Sequence, residues 1–544
     1  MTGWAAIFRG MIYYQICSGS NGITIPFSCN RCACNGGVQS KTREAPMRSL
    51  IVCCDGTWND PNNEDDDVPA PTNVRKLFEA INLDSDNPRQ LSRYQSGVGT
   101  GGLVDKVIGG MVGYGLGEDI RDCYQWLSDK YQHGDQLYIF GFSRGAFTAR
   151  SLAGMIGKFG LIDFHQHPNE ARDALVKRVY YQGYRKGEPL DHPIEFHPDS
   201  QSVAFVGVWD TVGALGIPND KSLLNIFDDP NKYQFHDVTL GEHIGQARHA
   251  VALNEKRGSF TPTLWQSHRT DGSLKQLWFP GVHSDVGGGY KETGLSDGAL
   301  QWMAEEAMAQ GLKLNGSMLA QVKPDPQGLE HDSHVGAMKA LLSAPRSIPD
   351  LDHEQADIHP SVLERRNSAP IDQGRYLQTR AFNGQPIEVD IYAKHPWNWT
   401  GIFLEAGHRY RLTATGEWMD ASVPASPKGT SDGEFHKGEI FHVAGKITGL
   451  FESGFKKLFG NRQANFFGTK RVEDADWFCL MGAIADGGNP GVDGTHDPLH
   501  LFQIGEQAQI QVARSGYLYC FANDAWGFYG NNRGYVTLKV EPLS

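Results

Sequence analysis

The run DQLYIFGFSRGAFTAR constrains the fold more than any other part of the chain. An apolar, strand-like segment from Leu137 to Phe140 leads into Gly141-Phe142-Ser143-Arg144-Gly145 and then into a helix-like stretch. A serine on a sharp strand-to-helix turn is crowded from both sides, so the residues two before and two after it must be nearly free of side chain. Gly141 and Gly145 meet that need. The arrangement is that of a nucleophile elbow, which displays its serine at the carboxyl edge of a parallel sheet. With 64 glycines in 544 residues the bare G-x-S-x-G pattern recurs, around Ser296 (GLSDG) and Ser431 (GTSDG), but neither follows an apolar strand. Ser296 reads as the cap of the helix ALQWMAEEAMAQG, and Ser431 falls in a Gly/Ser/Asp/Pro loop.

A serine nucleophile needs a histidine to take its proton and a carboxylate to orient that histidine. In the α/β-hydrolase order these follow as Ser, Asp or Glu, then His. SVAFVGVWDTVGALG is a β-branched and aromatic run ending at Asp210, and LKQLWFPGVHSDVGGGY is a second one that places His283 just past Pro280 and Gly281. Each of Ser143, Asp210 and His283 thus falls at the carboxyl end of an expected strand, where open α/β sheets carry their sites. Asp285 is the rival acid; two residues beyond His283, it reads as shaping the turn Gly287-Gly288-Gly289. An oxyanion hole would draw one N–H from Arg144 and the second from Gly56 and Thr57, where the strand SLIVCC opens into DGTWND. A strand followed by D-G-T also suggests a phosphatase of the haloacid-dehalogenase type, but that chemistry needs an aspartate two residues before Asp55, and Cys53 stands there.

The set IVCCDGTWND, YQSGVGTGG, FGFSRGAFTAR, GVWDTVGALGIP, WFPGVHSDVGGGY and IHPSVLERR resembles the α/β-hydrolase family of the type VI secretion phospholipase (Tle) effector catalytic domain, over about residues 48 to 366. The resemblance implies a triad of Ser143, Asp210 and His283, an acyl-enzyme on Ser143, phospholipase A-type action on lipid esters, and no cofactor for catalysis. It also implies export through a type VI secretion system, following synthesis in the cytoplasm, the default where no disulfide framework is indicated. The alternative from another class is a carbohydrate- or surface-binding protein whose hydrolase fold is catalytically idle.

From about Ile387 the texture changes to short alternating strands (IEVDIYA, RYRLTATGEW, QAQIQVAR, YLYCFAND, YVTLKV) divided by Gly, Asn and Pro turns, the pattern of a β-sandwich. Its ending, FANDAWGFYGNNRGYVTLKV, and the earlier AGHRYRLTATGEWMDA resemble the PA-IL-type galactose-binding calcium lectin. That resemblance implies calcium held by side-chain oxygens of Asp524, Asn531 and Asn532 and the backbone carbonyl of Phe528, and a glycan as partner. The lectin's sugar-contacting segment is replaced here by an insertion at about 434–472. Within it, KITGLFESGFKKLFGNRQ places Ile447, Leu450, Phe451, Phe455, Leu458 and Phe459 at helical spacing beside several lysines, a pattern suited to peripheral membrane contact through about 446–462.

The expected organisation is therefore a leader of residues 1–46, disordered or mis-assigned, an α/β-hydrolase domain over 47–366, a linker at 367–386, and an all-β sandwich over 387–544. Between Ser296 and about Leu342 the chain reads as helical, followed by the aperiodic SAPRSIPDLDHEQADIHP. A net charge of −13 with no concentrated Lys/Arg tract argues against nucleic acid as a partner. No stretch of 18 apolar residues occurs, and the first residues lack the basic start and apolar block of a secretory signal. Nine cysteines, four of them (Cys17, Cys29, Cys32, Cys34) in the first 34 residues, form neither a disulfide framework nor two separated zinc-binding pairs.

Overall fold

The computed structural model describes residues 48–56, 63–81, 89–97, 116–212, 239–335, 338, 342–353, 356–370, 376–430, 471–489 and 499–543. The leader, Thr57, Ser431 and residues 434–470 of the insertion lie outside the described residues. Residues 46–544 form one compact unit.

β1 (Ser49–Cys54) is followed by a short hairpin, β2 (Glu64–Asp65) and β3 (Val68–Pro69), and then by β4 (Gln90–Gln95), β5 (Gln136–Phe142), β6 (Val203–Trp209), β7 (Ile244–Ala252) and β8 (Leu274–Phe279). Apart from the hairpin these strands form one parallel sheet in the order β4-β1-β5-β6-β7-β8. Such a sheet is covered on both faces, so its central strands are largely apolar, while the edge strands β4 (QLSRYQ) and β8 (LKQLWF) carry polar residues. In SLIVCC every residue is buried, with Leu50, Val52 and Cys54 turned to one core and Ile51 and Cys53 to the other. The first core packs the helices Leu116–Lys130 and Arg144–Phe159, and the second packs Asn73–Ala80 and Gly294–Ala309. The register brings the strand ends level: Cys54 lies beside Gly141, Phe142 beside Trp209, and Ala252 beside Phe279. One edge of the sheet therefore carries every turn that the sequence marked.

The C-terminal part holds two antiparallel sheets. One is β10 (Asn398–Leu404), β16 (Gly516–Ala522), β13 (Leu480–Ala485) and β14 (His500–Gln503), in that order. The other runs β12 (Val423–Ala425), β11 (Arg409–Asp420), β17 (Arg533–Leu543), β9 (Ile387–Tyr392), with β15 (Gln507–Gln511) also on β11. In β9 the alternation works as expected: Ile387, Val389 and Ile391 enter a core shared by both sheets while Glu388, Asp390 and Tyr392 face out. Trp418, Leu518 and Val536 complete that core.

Two expectations need correcting. The helical character expected as far as Leu342 stops at Ala309, because Gly311, at φ 101°, turns the chain back and lets Leu312 bond to Ala307. Between Gly311 and Val335 the described residues form one short helix, Gly316–Leu319, and the next, Pro360–Asn367, lies in the IHPSVLERR segment. Ser296 lies inside the first turn of its helix rather than capping it; Thr293 takes the cap position, and the Ser296 hydroxyl donates back to the Thr293 carbonyl.

Candidate active site

Ser143 has φ 57° and ψ −122° and stands immediately before the helix Arg144–Phe159. A non-glycine residue at positive φ stores on the order of 1–3 kcal/mol of strain, and such strain concentrates where geometry serves chemistry. The flanking glycines are needed for the reason the sequence suggested. A Cβ on Gly145 would lie 2.3 Å from the Cys54 carbonyl oxygen, and one on Gly141 would lie 2.3 Å from that of Gly145. The turn is thus pressed against the end of β1 by backbone that cannot yield, and the serine stands at the N-terminus of the helix, the positive end of its dipole.

Asp210, at φ 37°, follows β6 and is fully buried. Its Oδ2 receives the Nδ1–H of His283 at 2.5 Å, and its Oδ1 receives the N–H of Ala252 at 2.9 Å. Arg346 closes the carboxylate from the far side with both terminal nitrogens, at 2.7 Å to Oδ1 and 2.9 Å to Oδ2. Burial alone would raise this carboxyl, but the Arg346 charge and the hydrogen bonds from His283 and Arg346 outweigh it and hold the group ionised far below the ordinary range. His283 sits at the start of the short helix His283–Gly287, its ring between Phe142 (centroids 4.6 Å) and Phe260 (5.0 Å, edge-on). Burial lowers its pKa and Asp210 pulls the other way, with a net downward shift, so the ring is a neutral base carrying its proton on the Asp210 side. Gly287 makes room for this stack, since a Cβ there would fall 1.9 Å from the Phe142 ring.

Asp285 does not compete for His283. Its Oδ2 caps the turn through Val282 N–H, and its Oδ1 meets His331 Nδ1 at 2.6 Å. Glu255, also fully buried and held down to about 2 by Arg257 against the cost of burial, accepts the His283 backbone N–H at 3.2 Å. Gly56 lies at the end of β1 and donates its N–H to Asp55 Oδ1 at 2.7 Å; burial raises Asp55 to about 6. The Arg144 side chain is buried enough to be lowered to about 10.

Sequence reasoning missed Arg346, Glu255 and Arg257. Glu255 and Arg257 follow β7, where the position of a carboxyl-edge turn was the available signal. Arg346 lies in the aperiodic stretch and had none.

In the C-terminal part Asp524 is fully buried, and Asn532 Nδ2 donates to its Oδ2 at 2.8 Å. Burial raises Asp524 to about 6. Asn531 Oδ1 and Asn532 Oδ1 are buried side-chain oxygens with no hydrogen-bond partner, and the Phe528 carbonyl accepts from Asn531 N–H at 3.2 Å. Beside this loop Arg471 stacks on Phe521 (3.5 Å), Trp526 (4.0 Å) and Trp397 (4.1 Å). Among the described residues no group of three or more His, Cys, Asp or Glu is placed to hold a metal ion, and no helix is long and apolar enough to cross a membrane.

A parallel-sheet core with a buried Asp–His pair beside a strained serine defines a candidate hydrolytic site, and comparison with known families agrees in kind. Residues 48–306 match the family described as type VI secretion, phospholipase effector Tle1-like, catalytic domain. A curated relative, the uncharacterized protein YEL023C of Saccharomyces cerevisiae, is 28% identical over 253 residues, 41% of this chain and 33% of its own length. The chain thus spans about a third of that relative. Among solved structures, the Tle1 effector bound to the VgrG spike of the type 6 secretion system aligns at 20% identity, covering 45% of this chain and 52% of that one, with a TM-score of 0.26. The N-terminal domain of EclA, a PllA-like lectin, aligns at 17% identity over 29% of this chain and 95% of that one, with a TM-score of 0.17.

Proposed function

We propose that the chain is a serine hydrolase of the α/β-hydrolase fold that cleaves carboxylic esters of phospholipids, with Ser143 as nucleophile, His283 as general base and Asp210 as its orienting carboxylate. The observation that carries the reading is the Asp210–His283 bond at 2.5 Å beside a serine at φ 57° on one sheet edge. In this mechanism His283 Nε2 takes the Ser143 hydroxyl proton as the oxygen attacks the ester carbonyl. The tetrahedral oxyanion would be met by the Arg144 N–H at the helix N-terminus and by a second donor from Thr57, or from Gly56 if its N–H leaves Asp55 Oδ1. Collapse expels the alcohol, which takes the proton from His283, and water activated by the same base frees the acyl group. Lipid as substrate is supported by the match of residues 48–306 to a phospholipase effector family, and phospholipase A-type action is the finer reading that the sequence resemblance implies. Export by a type VI secretion system is the corresponding reading of its destination. The test is release of fatty acid and lysophospholipid from phospholipid vesicles by the full chain and by Ser143→Ala. Loss on the order of 10³-fold or more supports the reading, and retained hydrolysis refutes it.

A second reading concerns the C-terminal part: the Asp524 loop would hold calcium. The two orphaned amide oxygens of Asn531 and Asn532 beside a buried carboxylate are what favour it, because an oxygen-ligated cation satisfies all three at once. Asp524, Asn531, Asn532 and the Phe528 carbonyl would supply ligands, and the ion's part is to fix the loop rather than to act in hydrolysis. A glycan bound at this loop and membrane contact through about 446–462 are the accompanying proposals.

A further inference from the structure

The segment from Leu342 to Leu351 links the two parts of the molecule through the candidate triad. On one side Gly258 N–H donates to the Leu342 carbonyl (2.9 Å) and Ala344 N–H to that of Lys256 (2.7 Å), which fixes the segment beside the β7 turn. On the other side it is held by the C-terminal sheets. Trp397 Nε1 donates to the Ser343 carbonyl at 3.1 Å, and the Tyr517 hydroxyl accepts the Leu351 N–H at 2.9 Å. Ile348 and Leu351 are buried in a cluster that joins Val251 and Trp278 of the parallel sheet to Tyr517 of β16. Between these anchors Arg346 reaches inward, 5% exposed, to grip both oxygens of Asp210 and the carbonyls of Ala252 (2.6 Å) and Phe260 (2.5 Å). The Phe260 ring lies edge-on to His283. Arg346 also falls outside the matched residues 48–306.

We propose that Arg346 is a positioning residue of the Asp210–His283 pair, presented by a strap that the C-terminal sheets hold in place, so that the candidate triad is complete only with the C-terminal part attached. The inference rests on the serine-hydrolase reading. A bidentate guanidinium fixes a carboxylate in plane and rotamer as a single-point ammonium cannot. Four hydrogen bonds leave Asp210 one orientation, the one that keeps His283 Nδ1 protonated and Nε2 free to accept. The other charged or titratable groups around the pair are Glu255 and Arg257, facing His283, and His249, facing Asp210.

The test measures turnover of a soluble ester against pH for Arg346→Met, Arg346→Lys and Tyr517→Phe in the full chain, per folded molecule. Arg346→Met is expected to lower kcat by roughly 10- to 100-fold with KM within about twofold. Its acid limb should move to higher pH, because a positive charge that opposed protonation of the neighbouring histidine is gone. Arg346→Lys should return the limb towards its original place while recovering only part of kcat. Tyr517→Phe, which keeps the ring and loses the hydroxyl that holds Leu351, should lower kcat a few-fold. Wild-type kcat in either Arg346 variant, or a lowered kcat with an unmoved limb in Arg346→Met, overturns the positioning role, and Arg346→Lys alone decides if Arg346→Met does not fold. Wild-type kcat in Tyr517→Phe overturns the part assigned to the C-terminal sheets. If hydrolysis survives Ser143→Ala, the serine reading falls and this inference with it; if it is abolished there and the Arg346 variants are unaffected, only this inference falls.

Discussion

Replacing Asp210 by asparagine separates the chemical from the structural duty of that residue. The carboxylate accepts four hydrogen bonds, two from Arg346, one from His283 and one from the Ala252 N–H, and all four partners are donors. An amide in the same place turns one oxygen into an NH₂ group. Placed at the Oδ1 position, that group faces Ala252 N–H and Arg346; placed at the Oδ2 position, it faces Arg346 and His283. The second placement is the cheaper, because His283 can shift its proton to Nε2 and accept the amide at Nδ1. The ring then presents a donor to Ser143 and cannot take its proton. Loss of the correct tautomer costs a triad enzyme about 10⁴-fold in kcat. The buried Arg346 charge also loses its counter-ion, and breaking a buried pair costs about 3–5 kcal/mol. The expected result is therefore a folded protein with a lower apparent Tm and kcat on a soluble short-chain ester down by roughly 10³- to 10⁴-fold, with KM little changed. Asp285→Asn is the control: its carboxylate serves Val282 and His331, so kcat should stay within about threefold of wild type. An Asp210→Asn enzyme within tenfold of wild type, or an inactive Asp285→Asn, would refute the assignment of the acid.

Burial keeps His283 neutral to a pH below the ordinary histidine value, and the neutral ring is the active form, so kcat/KM should hold on descent from neutrality and fall with a midpoint below about 6.5; a midpoint above that value in a pH–rate profile contradicts the burial argument. Ser143→Gly relieves a positive φ and should raise stability by about 1 kcal/mol in denaturant unfolding while abolishing turnover; lower stability would show that the elbow is not strained. Millimolar calcium should raise the apparent Tm of the full chain, an effect erased by Asp524→Ala, and no shift in a thermal scan would remove the calcium reading.

The strand ends that carry Ser143, Asp210 and His283 were legible because an elbow imposes its glycines locally and because parallel strands announce their ends by where apolar runs stop. Arg346 was not legible, since a loop arginine carries no periodicity and its partner is 136 positions away. The C-terminal sheets show the same division. β9 was read from its alternation, whereas β13, LMGAIA, is buried at every residue and offers none. The break at Gly311 escaped for another reason: helical composition continues past the glycine, and one residue at positive φ reverses the chain.

The central claim is that Ser143 is an activated nucleophile. Full-chain protein treated with a fluorophosphonate ester and digested for mass mapping should carry one phosphonyl group on the peptide containing Ser143. His283→Ala should abolish that labelling, because the serine has no other base. An unlabelled Ser143, or labelling indifferent to His283, would contradict the account.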